Sequence, residues 1–422
     1  MTSTAPDATT PVPHLDHWLD VYRDLHAHPE LAFAERRTAA AVARELAASP
    51  GWEVTEGVGG TGVVGVLRNG PGPVVLLRAD MDGLPVEERT DLPYSSAESG
   101  RMHACGHDVH VTCLLAACRE LAERPGTWSG TVVAVFQPAE EIGQGARAML
   151  DDGLLDRFPH PDVCLGQHVG PLPAGVVISR PGLLMAAADS LRVTLYGAGG
   201  HASTPQQAVD PIVLASAVVL RLQTYAARQA PRSPAPVLTP GSLHSGSAAN
   251  IIPHTAELLL SLRTYDEETR AEALEEVRRI IRCEAEASGA PRPPEVEAYD
   301  GFPLTLNSPQ ATSLVLRALE GTGAPVQELA APLGGSEDFG LLGAAAACPS
   351  VFWHFGGAGW DTYTPEDLDR LRGGTLPPRI PSNHSPYFAP DPEPTLEAGI
   401  RDLLAASAVY LAPQETSAAP GT

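Results

Sequence analysis

Residues 74–85 read Val-Val-Leu-Leu-Arg-Ala-Asp-Met-Asp-Gly-Leu-Pro, an apolar run that ends in two carboxylates, Asp80 and Asp82, before Gly83 and Pro85. A short apolar run rich in β-branched residues and bounded by Gly and Pro is the pattern of a strand buried in a sheet. The two acids then sit just past the strand's carboxyl end, where ligands gather in open α/β sheets.

The same pattern recurs on either side. Upstream, Val63-Val64-Gly65-Val66-Leu67 reads as a strand, preceded by apolar residues at near-helical spacing over residues 15–48, where Pro29 interrupts to give two helices or one broken one. Downstream, the apolar residues 131–136 run into Gln137-Pro138-Ala139-Glu140-Glu141, and Val163-Cys164-Leu165-Gly166 runs into Gln167-His168. Residues 108–123 between them read as a helix. Strands alternating with helices predict a mostly parallel sheet with helices on both faces. Its strand ends deliver Asp82, then Glu140 and Glu141, then His168.

The pattern changes near Ala186. Residues 189–195 alternate in part, Gly197-Ala198-Gly199-Gly200-His201 follows, and a helix at 210–227, strand-like runs at 237–243 and 256–263 and a charged helix at 266–287 complete the stretch. That order fits a smaller α+β domain inserted between two halves of the first. A helix at 308–320, a strand at 350–355 and a closing helix at 394–411 return to the first domain. The expected division is residues 1–186 and 300–422 for the main domain and 187–299 for the insertion. The tails, 1–12 and 412–422, are expected to fray.

Composition narrows the function. With 422 residues, 43% of them apolar, the chain exceeds one ordinary domain and can bury a large core. Its 40 Gly and 41 Pro with few aromatics mark a loop-rich globular protein. The 51 acidic against 28 basic residues give a net charge of −23, which excludes nucleic acid as a partner. All the basic residues are Arg, so no Schiff-base or P-loop lysine exists. No apolar run nears the ~18 residues of a membrane span, and the N-terminus lacks a basic start and an apolar stretch. A cytoplasmic protein with no membrane partner is expected.

The six Cys are scattered without the spacing of a disulfide scaffold, and five read as small core residues. Cys105 differs, because His103-Ala104-Cys105-Gly106-His107-Asp108 crowds four ligating or orienting groups together. A hydrolytic metal site needs N, O or S donors converging on one point, with a position open for water. Cys105 and His107 are two apart, so they reach a common centre from extended or turning backbone but diverge on a regular helix. Glu140 and Glu141 would face opposite sides of a regular strand, yet after Pro138 both can face one cleft, one binding metal and one moving protons. Alone, that pair reads equally as a solvated turn. Asp80 and Asp82 share a strand face, and a carboxylate behind a metal-bound imidazole fixes its orientation.

These stretches, with Gly199-Gly200-His201-Ala202-Ser203-Thr204-Pro205, Asn250-Ile251-Ile252-Pro253, Gly335-Ser336-Glu337-Asp338-Phe339 and Asn383-His384-Ser385-Pro386, resemble the ordered motif series of the di-metal amidohydrolases. That family includes hippurate hydrolase, aminoacylases, carboxypeptidase G-type enzymes, N-acetyldiaminopimelate deacetylase and auxin-conjugate hydrolases. The resemblance implies an α/β, mostly parallel-sheet catalytic domain with an inserted smaller α+β lid domain. It implies two divalent metal ions (Zn, Mn, Co or Ni) held by Cys105, His107, Glu141, His168 and His384. A metal-bridged water would attack the amide of an N-acyl amino acid or related small molecule, with Glu140 as general base and Asp82 orienting a ligand imidazole. The Cys105 thiolate marks the hippurate-hydrolase-like branch, since related peptidases place a carboxylate there. From the lid, His201 and Asn250 would contact substrate, although Asn250 also suits a turn before Pro253. In some relatives a partner subunit completes the site, so a homodimer is an expectation.

Three other features enter as expectations. Ser336-Glu337-Asp338-Phe339 shapes a pocket floor or caps a helix through Ser336. Arg263 is a candidate partner for a substrate carboxylate. Residues 356–383 are longer than the resemblance leads one to expect. Alternative readings are a dipeptidase or carboxypeptidase on the same scaffold, a cysteine hydrolase using Cys105 and His107, and a non-catalytic binding protein. The second suffers because neighbouring carboxylates raise a thiol's pKa unless a metal is present.

Overall fold

The computed structural model describes residues 11–228 and 235–411, so most of the two tails expected to fray lies outside the described residues. Val12, assigned to the N-terminal tail, is instead buried against the core at 7% exposure. The chain forms two compact units. The larger comprises Met1–Leu184, Leu306–Ala331 and Asp338–Thr422, and the smaller Met185–Thr305 and Pro332–Glu337.

The larger unit is built on an eight-stranded sheet of β1 (Trp52–Val58), β2 (Gly62–Asn69), β3 (Val74–Asp80), β4 (Gly130–Gln137), β5 (Val163–Pro173), β6 (Val177–Ser179), β7 (Val326–Glu328) and β8 (Ser350–Ala358). The order is β1-β2-β4-β3-β5-β8-β6-β7. The central strands β4, β3, β5 and β8 are parallel, whereas β1, β2 and β4 pair antiparallel at one edge and β6 runs against β8. The edge is antiparallel for a simple reason. Only Gly59-Gly60-Thr61 separates β1 from β2, which suffices for a hairpin and is too short for the crossover that parallel strands need.

Strands β2, β3 and β4 are buried along nearly their whole length, which is why they read as apolar runs rather than as alternation. Leu76 and Leu77 of β3 are fully covered, each contributing roughly 1.5–3 kcal/mol. The helix α3 (His107–Glu123) is buried almost all round, packing on β3 and β5 and against α1 (Leu15–Ala27), α2 (Arg36–Ala48) and the C-terminal helix α5 (Pro392–Leu411). A further helix, α4 (Pro365–Arg372), lies in the long segment before His384. Register places Asp80 beside Gln137 at the ends of β3 and β4, Arg78 beside Gly166, and His168 beside His354; His168 thus lies inside β5, which runs on to Pro173, and not at the strand end expected from the sequence.

The smaller unit has its own antiparallel sheet, in the order Val237–Ser245, Thr255–Thr264, Ala187–Tyr196, Glu295–Phe302, and its own core shared with the helices Pro211–Arg228 and Glu267–Ala287. Its limits lie at Met185 and Thr305 rather than at residues 187 and 299. It also takes in Pro332–Glu337, because Ala186 donates its N–H to Leu333 O and Gly335 O. Hydrogen bonds between segments so far apart leave no mark on local composition. Among the described residues, no helix is long and apolar enough to cross a membrane.

One core residue carries a stability cost. Asp402 on α5 is 1% exposed, and its Oδ2 lacks a hydrogen-bond partner among the described residues. Burial pushes its carboxyl up to about 8 against a smaller pull from Arg401. The unfolded chain releases this proton near pH ~4, so folding takes up a proton between there and about 8, and stability falls as pH rises through that window. Asp402→Asn should therefore stabilise the fold by on the order of 2 kcal/mol above pH ~8 and scarcely at pH ~4. Unfolding curves at both pH values check this. An equal gain at both would assign the effect to packing instead of charge.

Candidate metal centre

The site starts from a buried ion pair at the end of β3. Arg78, 1% exposed, donates to Asp80 Oδ2 (2.7 Å), Gln137 Oε1 (2.9 Å) and Asp338 Oδ1 (3.1 Å). Asp338 also accepts from Gln137 Nε2 (2.7 Å) and Ala146 N (2.9 Å). Burial alone would raise the pKa of Asp80, but Arg78, His107 and His110 outweigh it and hold the carboxyl well below its usual range. Asp338 thus acts as a tie at the base of β3 and β4. The helix Gly340–Ala345 starts at Phe339 with no side-chain cap, so the capping reading of Ser336 does not hold. Ser336 Oγ instead receives Arg263 Nη1 (3.0 Å), which also donates to Gly334 O (2.7 Å).

His107 opens α3 after Gly106, whose φ of 85° and closeness to Val169, 2.4 Å from where a Cβ would stand, leave room only for glycine. His107 Nδ1 lies 3.3 Å from Asp82 Oδ1, while Nε2 faces Asp80 Oδ2 (3.6 Å), Glu141 Oε1 (3.8 Å) and Glu140 Oε2 (3.9 Å). Among the described residues, His107 Nε2 and Glu141 Oε1 are buried without a hydrogen-bond partner. Two donors on one tetrahedral ion with bonds of about 2 Å stand roughly 3.3 Å apart. The spacing around Nε2 is too wide for hydrogen bonds and close to what a shared cation requires. Burial lowers the pKa of His107, yet Asp80, Asp82 and Glu141 raise it to about 10, a measure of how strongly this pocket attracts positive charge.

The adjacent acids reach this pocket through a tight turn after β4. Ala139 adopts φ 50°, and the N–H groups of Glu140 and Glu141 donate to Asp82 Oδ1 and Oδ2, both at 3.1 Å. Both side chains therefore come within 4 Å of His107 Nε2 instead of splaying to opposite sides.

From β5, His168 Nε2 comes within 3.4 Å of Cys105 Sγ. Its Nδ1 donates to Val169 O (2.7 Å), so Nε2 carries the lone pair, and burial keeps the ring neutral by lowering its pKa well below the ordinary value. His384, at φ 68°, is set by its N–H to Ala104 O (2.8 Å) and brings Nε2 within 3.3 Å of Glu141 Oε2. Among the described residues, donor atoms of Cys105, His107 and Glu141 lie within 4.8 Å of one another, as do atoms of Asp80, His107, His110 and His168. Thiolate, imidazole and carboxylate together suit zinc and its first-row neighbours.

Sequence reasoning missed several supporting groups. His110 donates Nδ1 to Asp80 Oδ1 (2.5 Å) and accepts Val169 N–H at Nε2 (2.7 Å), so both nitrogens are engaged and the ring braces His168 rather than offering a free lone pair. Its three-residue spacing from His107 on a predicted helix was the available signal. Asn383 Nδ2 donates to Cys105 O (3.0 Å) and Val169 O (3.1 Å), a supporting role that the motif around His384 did not specify. Conversely, His103 and Asp108 stay outside the donor sets. Burial drives His103 down to about 4, and Asp108 accepts from His26 Nδ1 (2.7 Å), whose other nitrogen meets Glu88 Oε1 (3.2 Å).

In the smaller unit, Gly200–His201 pairs with Ile251–Ile252, His201 standing opposite Ile251, so His201 and Asn250 become neighbours. Both are exposed, His201 Nδ1 receiving Ser203 N–H (3.1 Å) and Asn250 O receiving Ala202 N–H (3.1 Å). The long segment 356–383 folds as an ordered arm. Thr364 and Asp367 form a capping box on α4, and Trp360 Nε1 and Tyr363 OH tie the arm to Ala174 O (2.9 Å) and Pro171 O (3.0 Å) at the end of β5.

Residues 76–368 match the model of peptidase family M20/M25/M40. The chain is 38% identical over 335 residues to thermostable carboxypeptidase 2 of Saccharolobus solfataricus, covering 78% of this chain and 83% of that one. It is 38% identical over 338 residues to hippurate hydrolase of Campylobacter jejuni, covering 79% and 86%. Among solved structures it resembles a dinuclear metal-binding peptidase of Bacillus subtilis with a TM-score of 0.72 and 29% identity, over 93% of this chain and 98% of that one.

Proposed function

The chain belongs to peptidase family M20/M25/M40 and is a metal-dependent hydrolase, and from that premise we propose that it cleaves the amide bond of N-acyl amino acids. The observation that carries this reading is the convergence of Cys105, His107 and Glu141 within 4.8 Å, with Glu140 Oε2 3.9 Å from His107 Nε2. Cys105, His107, Glu141, His168 and His384 are the proposed ligands of two divalent ions. His107 Nε2 and Glu141 Oε1, buried without a hydrogen-bond partner among the described residues, support that assignment. When bound, such ions polarise the scissile carbonyl and lower the pKa of a water molecule.

The remaining chemistry belongs to side chains of this protein. Glu140 takes the proton of the attacking water on its carboxylate and returns it to the leaving amine nitrogen. Asp82 faces Nδ1 of His107, so that the Nε2 lone pair points at the acidic pocket. His201 and Asn250 contact the substrate from the inserted domain. Hippurate hydrolase, at 38% identity, favours an N-acyl amino acid, and the similarly close carboxypeptidase favours the kindred bond at the end of a peptide.

The test is amine release from acetyl-, benzoyl- and p-aminobenzoyl-amino acids and from dipeptides. It is run on chelator-stripped protein and on protein reloaded with zinc, manganese, cobalt or nickel. Release is expected only after reloading, and fastest from acylated amino acids. Preference for dipeptides would favour the peptidase reading, and two bound metals with no amine released from any substrate would overturn both.

A further inference from the structure

Glu140 and Glu141 owe their shared orientation to Ala139, a non-glycine residue in the left-handed region at φ 50°. Such a conformation persists only where its surroundings over-determine it. On its C-terminal side, Ala139 O accepts the N–H groups of Gln144 (3.3 Å) and Gly145 (3.1 Å). Gly145 is required there, since a Cβ on it would lie 1.6 Å from Pro138 O. On the N-terminal side, Ala139 N–H donates to Glu35 Oε1 at 2.9 Å, a partner 104 residues away in sequence.

Glu35 is completely buried. Its Oε1 also accepts Phe33 N–H (3.0 Å), and its Oε2 accepts Thr61 Oγ1 (2.5 Å) from the turn between β1 and β2. One carboxylate thereby locks three pieces of backbone together: the link between α1 and α2, the β1–β2 hairpin, and the turn that presents the two acids. Ala139 is fully buried, so without Glu35 its N–H would be left without an acceptor and the turn would relax.

We propose that Glu35 is a positioning residue for the hydrolytic reaction, holding the left-handed turn at Ala139 so that Glu140 and Glu141 face the same pocket. This rests on the reading of Glu140 as general base. Misplacing a reacting group by about 1 Å costs on the order of 10²-fold in rate. Glu35→Ala should lower kcat by about that factor with KM changed less than about threefold. Glu35→Asp keeps a carboxylate but withdraws it by one methylene, and should lose roughly tenfold. Glu35→Gln retains an oxygen for Ala139 N–H and should recover most of the parent rate.

Two readouts separate positioning from a general loss of structure. In a Glu140→Gln background, Glu35→Ala should add almost nothing, since the group it positions no longer acts. The visible spectrum of the cobalt-loaded protein should shift in Glu35→Ala and Glu35→Asp and return in Glu35→Gln, because Glu141 rides on the same turn. Parent kcat and an unshifted spectrum in Glu35→Asp would overturn the proposal, as would equal fractional losses in the parent and Glu140→Gln backgrounds. Full turnover in Glu140→Gln alone would instead sink the assignment of the base. The cobalt spectra would then still decide whether Glu35 holds the turn.

Discussion

Glu140→Gln should lower kcat by roughly 10³-fold or more while two metal ions per chain remain bound. The change keeps size and shape and removes only the carboxylate's ability to carry a proton. The anchor of this residue is its backbone, since Glu140 N–H donates to Asp82 Oδ1, so the turn stays where it is. Glu141, which lies against both His107 and His384, is untouched. Substrate binding should change little, so the loss should fall on kcat rather than on KM. Steady-state kinetics with metal analysis by mass spectrometry checks both halves. Turnover within tenfold of the parent would reject Glu140 as the base, and loss of metal along with activity would make it a ligand.

Part of the site was legible because Asp82, Glu140 and Glu141 sit where strands stop and His168 follows the apolar run that opens β5, and parallel strands in register bring such positions level whatever the intervening sequence. Cys105 and His107 stood out by density alone. What escaped was every group whose work depends on a distant partner. Arg78 and Asp338 meet across 260 residues, and Glu35 meets Ala139 across 104. His110 looked like one more position in a buried helix until Asp80 and Val169 N–H appeared on its two nitrogens. Periodicity reports burial and direction; it does not report which buried polar groups pair. The antiparallel edge at β1 and β2 and the short piece Pro332–Glu337 in the smaller unit were missed for the same reason.

Asp82→Asn should be nearly as damaging, by a different route, with activity at limiting metal reduced on the order of 10³-fold. Asp82 serves two functions at once: its two oxygens each take one backbone N–H from Glu140 and Glu141, and Oδ1 also lies 3.3 Å from His107 Nδ1. An amide has only one acceptor oxygen. Whichever way it turns, its NH₂ group opposes either Glu141 N–H or the N–H pair formed by Glu140 and the imidazole. Losing the carboxylate behind His107 should weaken metal affinity by about 10–100-fold. Losing one clamp on the turn should lower kcat by a further factor of about 10–100 even when metal saturates. Metal titration by calorimetry, followed by kinetics at limiting and saturating cobalt, separates the two contributions. If saturating metal restores the parent kcat, Asp82 acts only through His107 and the turn stands without it. If affinity is unchanged and kcat alone falls, the two N–H bonds carry its role, and the imidazole keeps its tautomer by other means.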